Sequence, residues 1–389
     1  MTPAADPVYL DHAATTPVRE EVFEAMKPFY GARFGNPSST HRWGREARAA
    51  LDEARERVGR CLGARPDEIC FTSGGTEGDN LAILGAWRAL KARGRTAVVT
   101  TPIEHKAILG AVHQAAREGA EERMLAMTVD GVVDLASFDE LVDDTVAVCS
   151  TMWVNNEIGT IQPVPELAAK AKARGSMFHT DAVQAFGKIP IDAQKQQFDF
   201  LTISGHKFGA PKGIGALFIR RGSPIEPLMH GGTQDRGRRP GTENVAAAVG
   251  LARAAELTLA ECEAHCERIR KLRDKLEEGI LARVPDAVIH GRGASRAPHI
   301  VNVSVPGTDS ESLLMALDLR GIAASGGSAC QSGGVTPSHV LSAIGVRPEM
   351  ASAAVRMSLG ALTTDHCIDR VIEVFPALVA KARQLTAAE

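Results

Sequence analysis

The segment "SGHKFGAPKGIG" (204–215) closes an apolar run, "DFLTIS" (199–204), and sets Lys207 beside Ser204 and His206. A lysine just past a buried strand, with hydroxyl and imidazole donors around it, sits in a partly desolvated cleft. The glycines let a ligand approach the backbone. Such an amine can form a Schiff base with an aldehyde cofactor of the pyridoxal phosphate type. Alone it would read as a surface lysine in a polar turn, so its companions decide the matter.

Four further clusters supply what that cofactor requires. "FHTDAVQ" (178–184) ends a strand with Asp181 and carries Gln184 three residues on. A carboxylate on the pyridine nitrogen keeps the ring protonated and makes it the better electron sink; Gln184 can donate to the phenolate oxygen. Read singly, Asp181 would only cap a helix. "TSGGTEGDN" (72–80) joins a strand to a helix, and Gly75 with Thr76 at the helix start offers amides, a hydroxyl and the positive helix end to a phosphate. It lacks the spacing of a P-loop. "TPIEHKAIL" (101–109) sets His105 after a strand, either as a cap or as a ring stacked on the cofactor and able to move protons near neutral pH. "WVNNEIGTIQP" (153–163) carries Asn155 and Asn156; one amide can hold substrate or cofactor oxygens, and a turn is the alternative.

"SGGSACQSGG" (325–334) exposes Cys330 among glycines and serines. A thiol there is available for chemistry as the thiolate, and the small neighbours allow the loop to travel, as gating loops do. Cys70 and Cys149 lie in apolar runs and read as core thiols. Cys262 and Cys266, one helical turn apart, lack further ligands nearby in sequence, so no metal site is assigned.

The elements that must position these groups alternate. Apolar runs at 68–73, 95–100, 146–152, 176–181, 199–204 and 215–220 interleave with helical patterns at 41–62, 76–92, 106–118 and 165–174. This predicts an α/β fold with a mostly parallel sheet, whose ligands lie at the C-terminal ends of the strands. From about Glu243 a long helical stretch runs to about Val284, followed by "AVIHG", "HIVNVSV", a helix near 309–320, "AAVRMSLG" and a last helix at 364–385. These predict a smaller α+β domain. The expected division is an N-terminal segment 1–14 packing with the small domain, a large domain 15–260, and a small domain 261–389 carrying the cysteine loop.

The chain has 389 residues, net charge −3, 44% hydrophobic and 23% charged residues, and seven scattered cysteines. Mixed charge argues against nucleic acid or an acidic membrane as partner. Neither a signal peptide nor a long apolar span is read, so a cytoplasmic protein with reduced thiols is expected. No G-x-G-x-x-G follows the first strand, which excludes a nicotinamide oxidoreductase of the doubly wound type. A non-catalytic platform for sulfur carriers is opposed by the complete lysine, aspartate and histidine set.

Taken in order, "YLDHAATTPV", "FGNPSSTH", "FTSGGTE", "EHKAI", "NNEIGT", "HTDAVQAFGKIPID", "SGHKFGAPKGIGAL", "HGGTQDRGRRPGTEN", "SGGSAC" and "VRMSLG" resemble the pyridoxal-phosphate-dependent cysteine desulfurases. These are class V aminotransferase-like proteins, and the likeness is to the group typified by the nitrogenase and housekeeping iron–sulfur enzymes. The resemblance implies the fold type I architecture of such transferases, with a seven-stranded sheet. It implies that Lys207 carries the cofactor and shuttles protons at the substrate Cα, with Asp181 on the pyridinium, Gln184 on the phenolate oxygen and His105 on the ring. It implies phosphate contacts from Thr76, Ser204 and His206, completed by Thr242 of a second subunit, and hence a homodimer with shared sites. Asn36, Asn156 and Arg356 would hold the carboxylate of L-cysteine; an arginine fork meets a carboxylate with two parallel hydrogen bonds. Cys330 would take the substrate sulfur as a persulfide, leaving alanine, and pass it to a small thiol-bearing acceptor or an iron–sulfur scaffold, for cluster assembly or for thio-cofactor or tRNA thiolation. The tail "VIEVFPALVAKARQLTAAE" is shorter than the one with which housekeeping members dock the scaffold, so another acceptor stays open. A selenocysteine lyase or aminotransferase of the same class, with Cys330 inert, is the alternative.

Overall fold

The computed structural model describes residues 7–326 and 337–386. Its centre is a seven-stranded sheet in the order Ile69–Thr72, Gly215–Ile219, Phe200–Ser204, Met177–Asp181, Val146–Ser150, Ala97–Thr100, Glu121–Met124. All pairings are parallel except those of Gly215–Ile219, which runs against both neighbours. The predicted mostly parallel α/β sheet is therefore observed.

The continuous apolar character of these strands follows from burial on both faces. Val98, Val148 and Phe200 face the helices Gly75–Lys91 and Lys106–Arg117, with Trp87 and Ile108 at their centre. Their neighbours Val99, Cys149 and Leu201 face the opposite way, into a cluster containing Leu51, Val58 and Leu167 of the helices Arg42–Leu62 and Val164–Ala173. Each such fully buried side chain contributes about 1.5–3 kcal/mol relative to exposure. Cys70 and Cys149 are core thiols, as read.

The edge strand Glu121–Met124 is absent from the predicted set: its sequence, EERM, is charged and lies at the solvent side. It is short and charged, as edges that resist further pairing are.

A second, antiparallel sheet orders Ser325–Gly326, Ala354–Ser358, Ile300–Ser304 and Val288–Ile289. The helix Asp365–Thr386 packs on it through Ile368, Val371 and Phe375. Val8–Tyr9 pairs in parallel with Ile322–Ala323, and Val8 and Leu10 share this second core. The 39-residue helix Val245–Arg283 joins both cores: Val245–Ala255 lines the first, Ile269–Ile280 the second. The expected boundary at 260/261 thus falls within one continuous helix. No described helix is long and apolar enough to cross a membrane.

Candidate active site

Parallel strands end on one edge of a sheet, and the polar residues that follow them converge there. The chain is laid out in this way around a cavity of about 450 Å³ lined by Gly75, Thr76, His105, Asn156, Asp181, Gln184, Ser204, His206, Lys207 and Arg356, among others.

Asp181 and Ser204 are the last residues of their strands. Asp181 is buried, and its Oδ1 accepts a hydrogen bond from Val183 N at 2.8 Å. Burial raises its pKa; His105 and Lys207 act in the opposite direction. No cation forms an ion pair with Asp181 among the described residues, and Lys207 and His105 only partly offset the burial.

Lys207 ends the short turn Gly205–Lys207. Its Nζ donates to the carbonyls of Ala13 (2.7 Å) and Ala14 (2.8 Å) and has no carboxylate partner among the described residues. Desolvation lowers its pKa to about 8, helped by Arg356 and opposed by Asp181 and Asp11. An amine poised there reaches its neutral, nucleophilic form near physiological pH.

His105 is the N-cap of Lys106–Arg117: its Nδ1 accepts from Ala107 N at 3.1 Å, which leaves Nε2 to the cleft. Partial burial lowers its pKa, so it stands as the neutral imidazole. The capping and cleft roles read from the sequence coexist in one ring.

Gly75 opens the helix Gly75–Lys91 after Gly74, whose φ of 151° suits glycine. A Cβ on Gly75 would lie 3.1 Å from Val183 and 3.7 Å from Ser204, so the helix start forms a shallow cradle that a side chain would fill. His206 Nδ1 lies 3.2 Å from Thr15 Oγ1, and burial lowers its pKa to about 4.

Arg356, from the small sheet, closes the far wall. Its Nη1 donates to Asn156 O (2.9 Å), and its Nη2 to Asp11 Oδ1 (2.9 Å) and Ser325 Oγ (2.7 Å); its buried Nε has no partner among the described residues. The asparagine pair is resolved. Asn155 makes the turn, accepting from Glu157 N and Ile158 N and donating to Ile103 O, while Asn156 lines the cavity.

An aminotransferase class-V family model matches residues 8–371. The chain belongs to the class-V aminotransferase family, among its cysteine desulfurases. It is 47% identical to the cysteine desulfurase NifS of Azotobacter vinelandii over 97% of this chain and 94% of that one. It is 44% identical to the cysteine desulfurase IscS of Dictyoglomus turgidum over 97% of this chain and 96% of that one. A solved NifS-like protein matches with a TM-score of 0.88 at 37% identity, covering 98% of this chain and 100% of that one. The family is pyridoxal-phosphate-dependent.

Not every residue expected in a desulfurase site lies in this cavity. Asn36 is exposed and outside it, its Oδ1 accepting from Ser38 N at 2.9 Å. Thr242 is exposed and outside it as well. Cys330 lies outside the described residues. Cys262 and Cys266 hold their Sγ atoms 3.9 Å apart, and no group of three metal-ligating side chains occurs among the described residues.

Other members of this desulfurase cleft escaped the sequence reading. Asp79 is fully buried, with Oδ1 unpartnered and 3.6 Å from His179 Nε2; burial and then Asp181 raise its pKa well above the carboxylate range. Its spacing from Thr76, i to i+3 on one helix face, is a signal that could have found it. Glu104 is buried beneath the cleft, its Oε1 accepting from Thr101 Oγ1 (2.7 Å) and Met152 N (2.9 Å), and burial pushes its pKa to about 8. His339 and Glu157 also line the cavity.

Proposed function

We propose that this chain is a cysteine desulfurase that takes the sulfur of L-cysteine onto Cys330, leaves L-alanine, and hands the sulfur to an acceptor thiol. The observation that carries the reading is the convergence on one cavity of an amine poised near neutrality, a buried carboxylate with no ion pair among the described residues and a glycine-lined helix start. These are the three handholds of pyridoxal phosphate, and the residues fit it. Lys207 would hold its aldehyde carbon, Asp181 its ring nitrogen and Gln184 its phenolate oxygen. Gly75, Thr76, Ser204 and His206 would hold its phosphate, and His105 would cover the ring. When bound, the group stabilises negative charge at the substrate Cα.

The protein's own residues do the rest. Arg356 binds the substrate carboxylate, with Asn156 beside it. Lys207 takes the Cα proton and returns it, which an amine with a pKa near working pH does well. His105 Nε2 faces the cleft and serves as a second proton carrier. The Cys330 thiolate forms an S–S bond with the substrate sulfur as the Cβ–S bond breaks. The electron pair stays on Cβ, which is protonated to the methyl group of alanine, so no outside oxidant is needed.

Thr242 and Asn36, outside their own chain's cavity, are assigned to the dimeric form: Thr242 to the partner subunit's phosphate site, Asn36 to the substrate end. The segment 1–14 is read as belonging with the small domain, 15–260 as the cofactor domain and 261–389 as the domain bearing Cys330. A compartment that keeps thiols reduced, the cytoplasm, suits a persulfide carrier. The acceptor is read as a small thiol-bearing protein or an iron–sulfur scaffold, with neither nucleic acid nor membrane as a direct partner.

Mass spectrometry of the holoenzyme after L-cysteine tests the reading: one added sulfur atom is expected on the peptide bearing Cys330, and none in Cys330→Ala. If Cys330→Ala kept its turnover of L-cysteine, the selenocysteine lyase or aminotransferase reading would replace this one.

A further inference from the structure

A second cavity, of about 340 Å³, lies across the segment Asp11–Thr16 from the cleft. The segment is the partition: Asp11, Ala13 and Ala14 face the cleft, while His12 and Thr16 line the second cavity. Val183, Gln184 and Lys207 line both cavities. Gln184 Nε2 donates to Ala13 O at 2.9 Å, and its Oε1 lies 3.1 Å from His299 Nε2.

The basic groups of this cavity are held in place but not satisfied. His12 is 4% exposed. Its ring stands edge-on to Tyr9 at 4.9 Å and presses on Gly360, where a Cβ would come within 2.4 Å of it. Yet neither ring nitrogen has a hydrogen-bond partner among the described residues. His299 is 3% exposed; it donates Nε2–H to Gln184 Oε1, which leaves Nδ1 as a lone pair without a partner among the described residues. Lys188 is half-buried, its ammonium makes no hydrogen bond or ion pair among the described residues, and desolvation lowers its pKa. Buried polar atoms left without partners cost about 1–3 kcal/mol each.

Nearby acids do not answer this need. Glu261 at the rim is held by Arg19 through two bonds of 2.9 and 2.7 Å, and Glu21 also lies on Arg19, at 3.8 Å. Arg268, the other close cation, donates to the carbonyls of Thr363 and Gly360. The remaining walls are apolar, from Val18, Phe208, Leu359 and Leu362.

We propose that this second cavity binds a small organic carboxylate, its head on Lys188 and His12 and its apolar body against Phe208, Leu359 and Leu362. A bound carboxylate supplies acceptors to the Lys188 ammonium and the His12 ring N–H at once. A mineral oxyanion would leave the apolar walls bare, and no free guanidinium fork is present to grip it. The site does not depend on the reaction proposed above.

The test is isothermal titration of the full-length holoenzyme with benzoate and butyrate, sodium sulfate in parallel, and saturating L-alanine present to occupy Arg356. One saturable site per chain is expected for the organic acids, with sulfate weaker. Lys188→Met should weaken benzoate binding about tenfold or more. It should also abolish the benzoate-induced rise in melting temperature, while the ligand-free melting temperature holds or rises because an unpaired half-buried cation is gone. Should Lys188→Met fail to fold, His12→Phe, which keeps a ring but no nitrogen, carries the same tenfold criterion. Undiminished benzoate affinity in the variant, absence of a saturable site, or sulfate binding as tightly as benzoate would overturn the proposal.

Discussion

The two walls of the cleft are built differently. The wall from the seven-stranded sheet carries Asp181, Ser204 and Lys207 at strand ends, where burial shifts the titratable groups. The wall from the small sheet contributes Arg356, held by Asp11, Ser325 and a carbonyl. The first wall derives its chemistry from desolvation and the second its geometry from hydrogen bonds. On the proposed function, tuning of reactivity resides in the large sheet and recognition of the substrate end in the small one.

The largest test of this contrast removes the amine. Lys207→Ala should lower kcat for alanine formation by on the order of 10⁴-fold, since proton transfer and cofactor attachment are lost together; sulfide release from L-cysteine measures it. Asp181→Asn should cost about 10²–10³-fold in kcat with a small change in KM, because it removes one electrostatic partner. Across the cleft the pattern should invert. Arg356→Lys should raise KM for L-cysteine by about tenfold to a hundredfold, with the smaller effect on kcat. Asp11→Asn, which only loosens the guanidinium, should raise KM by a few-fold, about 1 kcal/mol or less. Were Arg356→Lys to act mainly on kcat, the division of labour between the walls would be wrong.

The pH dependence sharpens the comparison. Cofactor attachment needs the neutral amine, so reconstitution of stripped enzyme with pyridoxal phosphate should quicken with pH up to about 8 and then level. Arg356→Gln removes one cause of the lowered pKa and should move that midpoint upward. The smallest effect concerns Glu104. Its folded pKa of about 8 lies above its unfolded value, so the folded state binds the extra proton. Stability from this group is full below the ordinary carboxylate pKa and is lost as pH rises to about 8. Glu104→Gln should flatten that decline in melting temperature by a few degrees.

The sheet was legible because burial on both faces writes continuous apolar runs, and the strand-end polar clusters followed. Glu121–Met124 was not, since a charged edge strand carries no such run, and the helix Leu135–Leu141 is too short to show a period. Within the cleft, Lys207, Asp181 and His105 could be read because each follows its own strand. Glu104 stands next to His105 yet gave no sign, because only burial makes its carboxyl unusual. His12 and His299 are far apart in the chain and come to line one cavity only through the fold. Asn36 and Thr242 carry motif resemblance without a place in their own chain's cavity.

The helix Val245–Arg283 spans about 58 Å and is rooted in both cores. It works as a ruler whose length and phase are written residue by residue. Adding a single residue near Ala260 would turn everything beyond it by about 100° and carry Arg356 away from Lys207, without touching a reacting group. The middle of this helix, though mostly solvent-facing, should therefore tolerate exchange of side chains but not a change in their number.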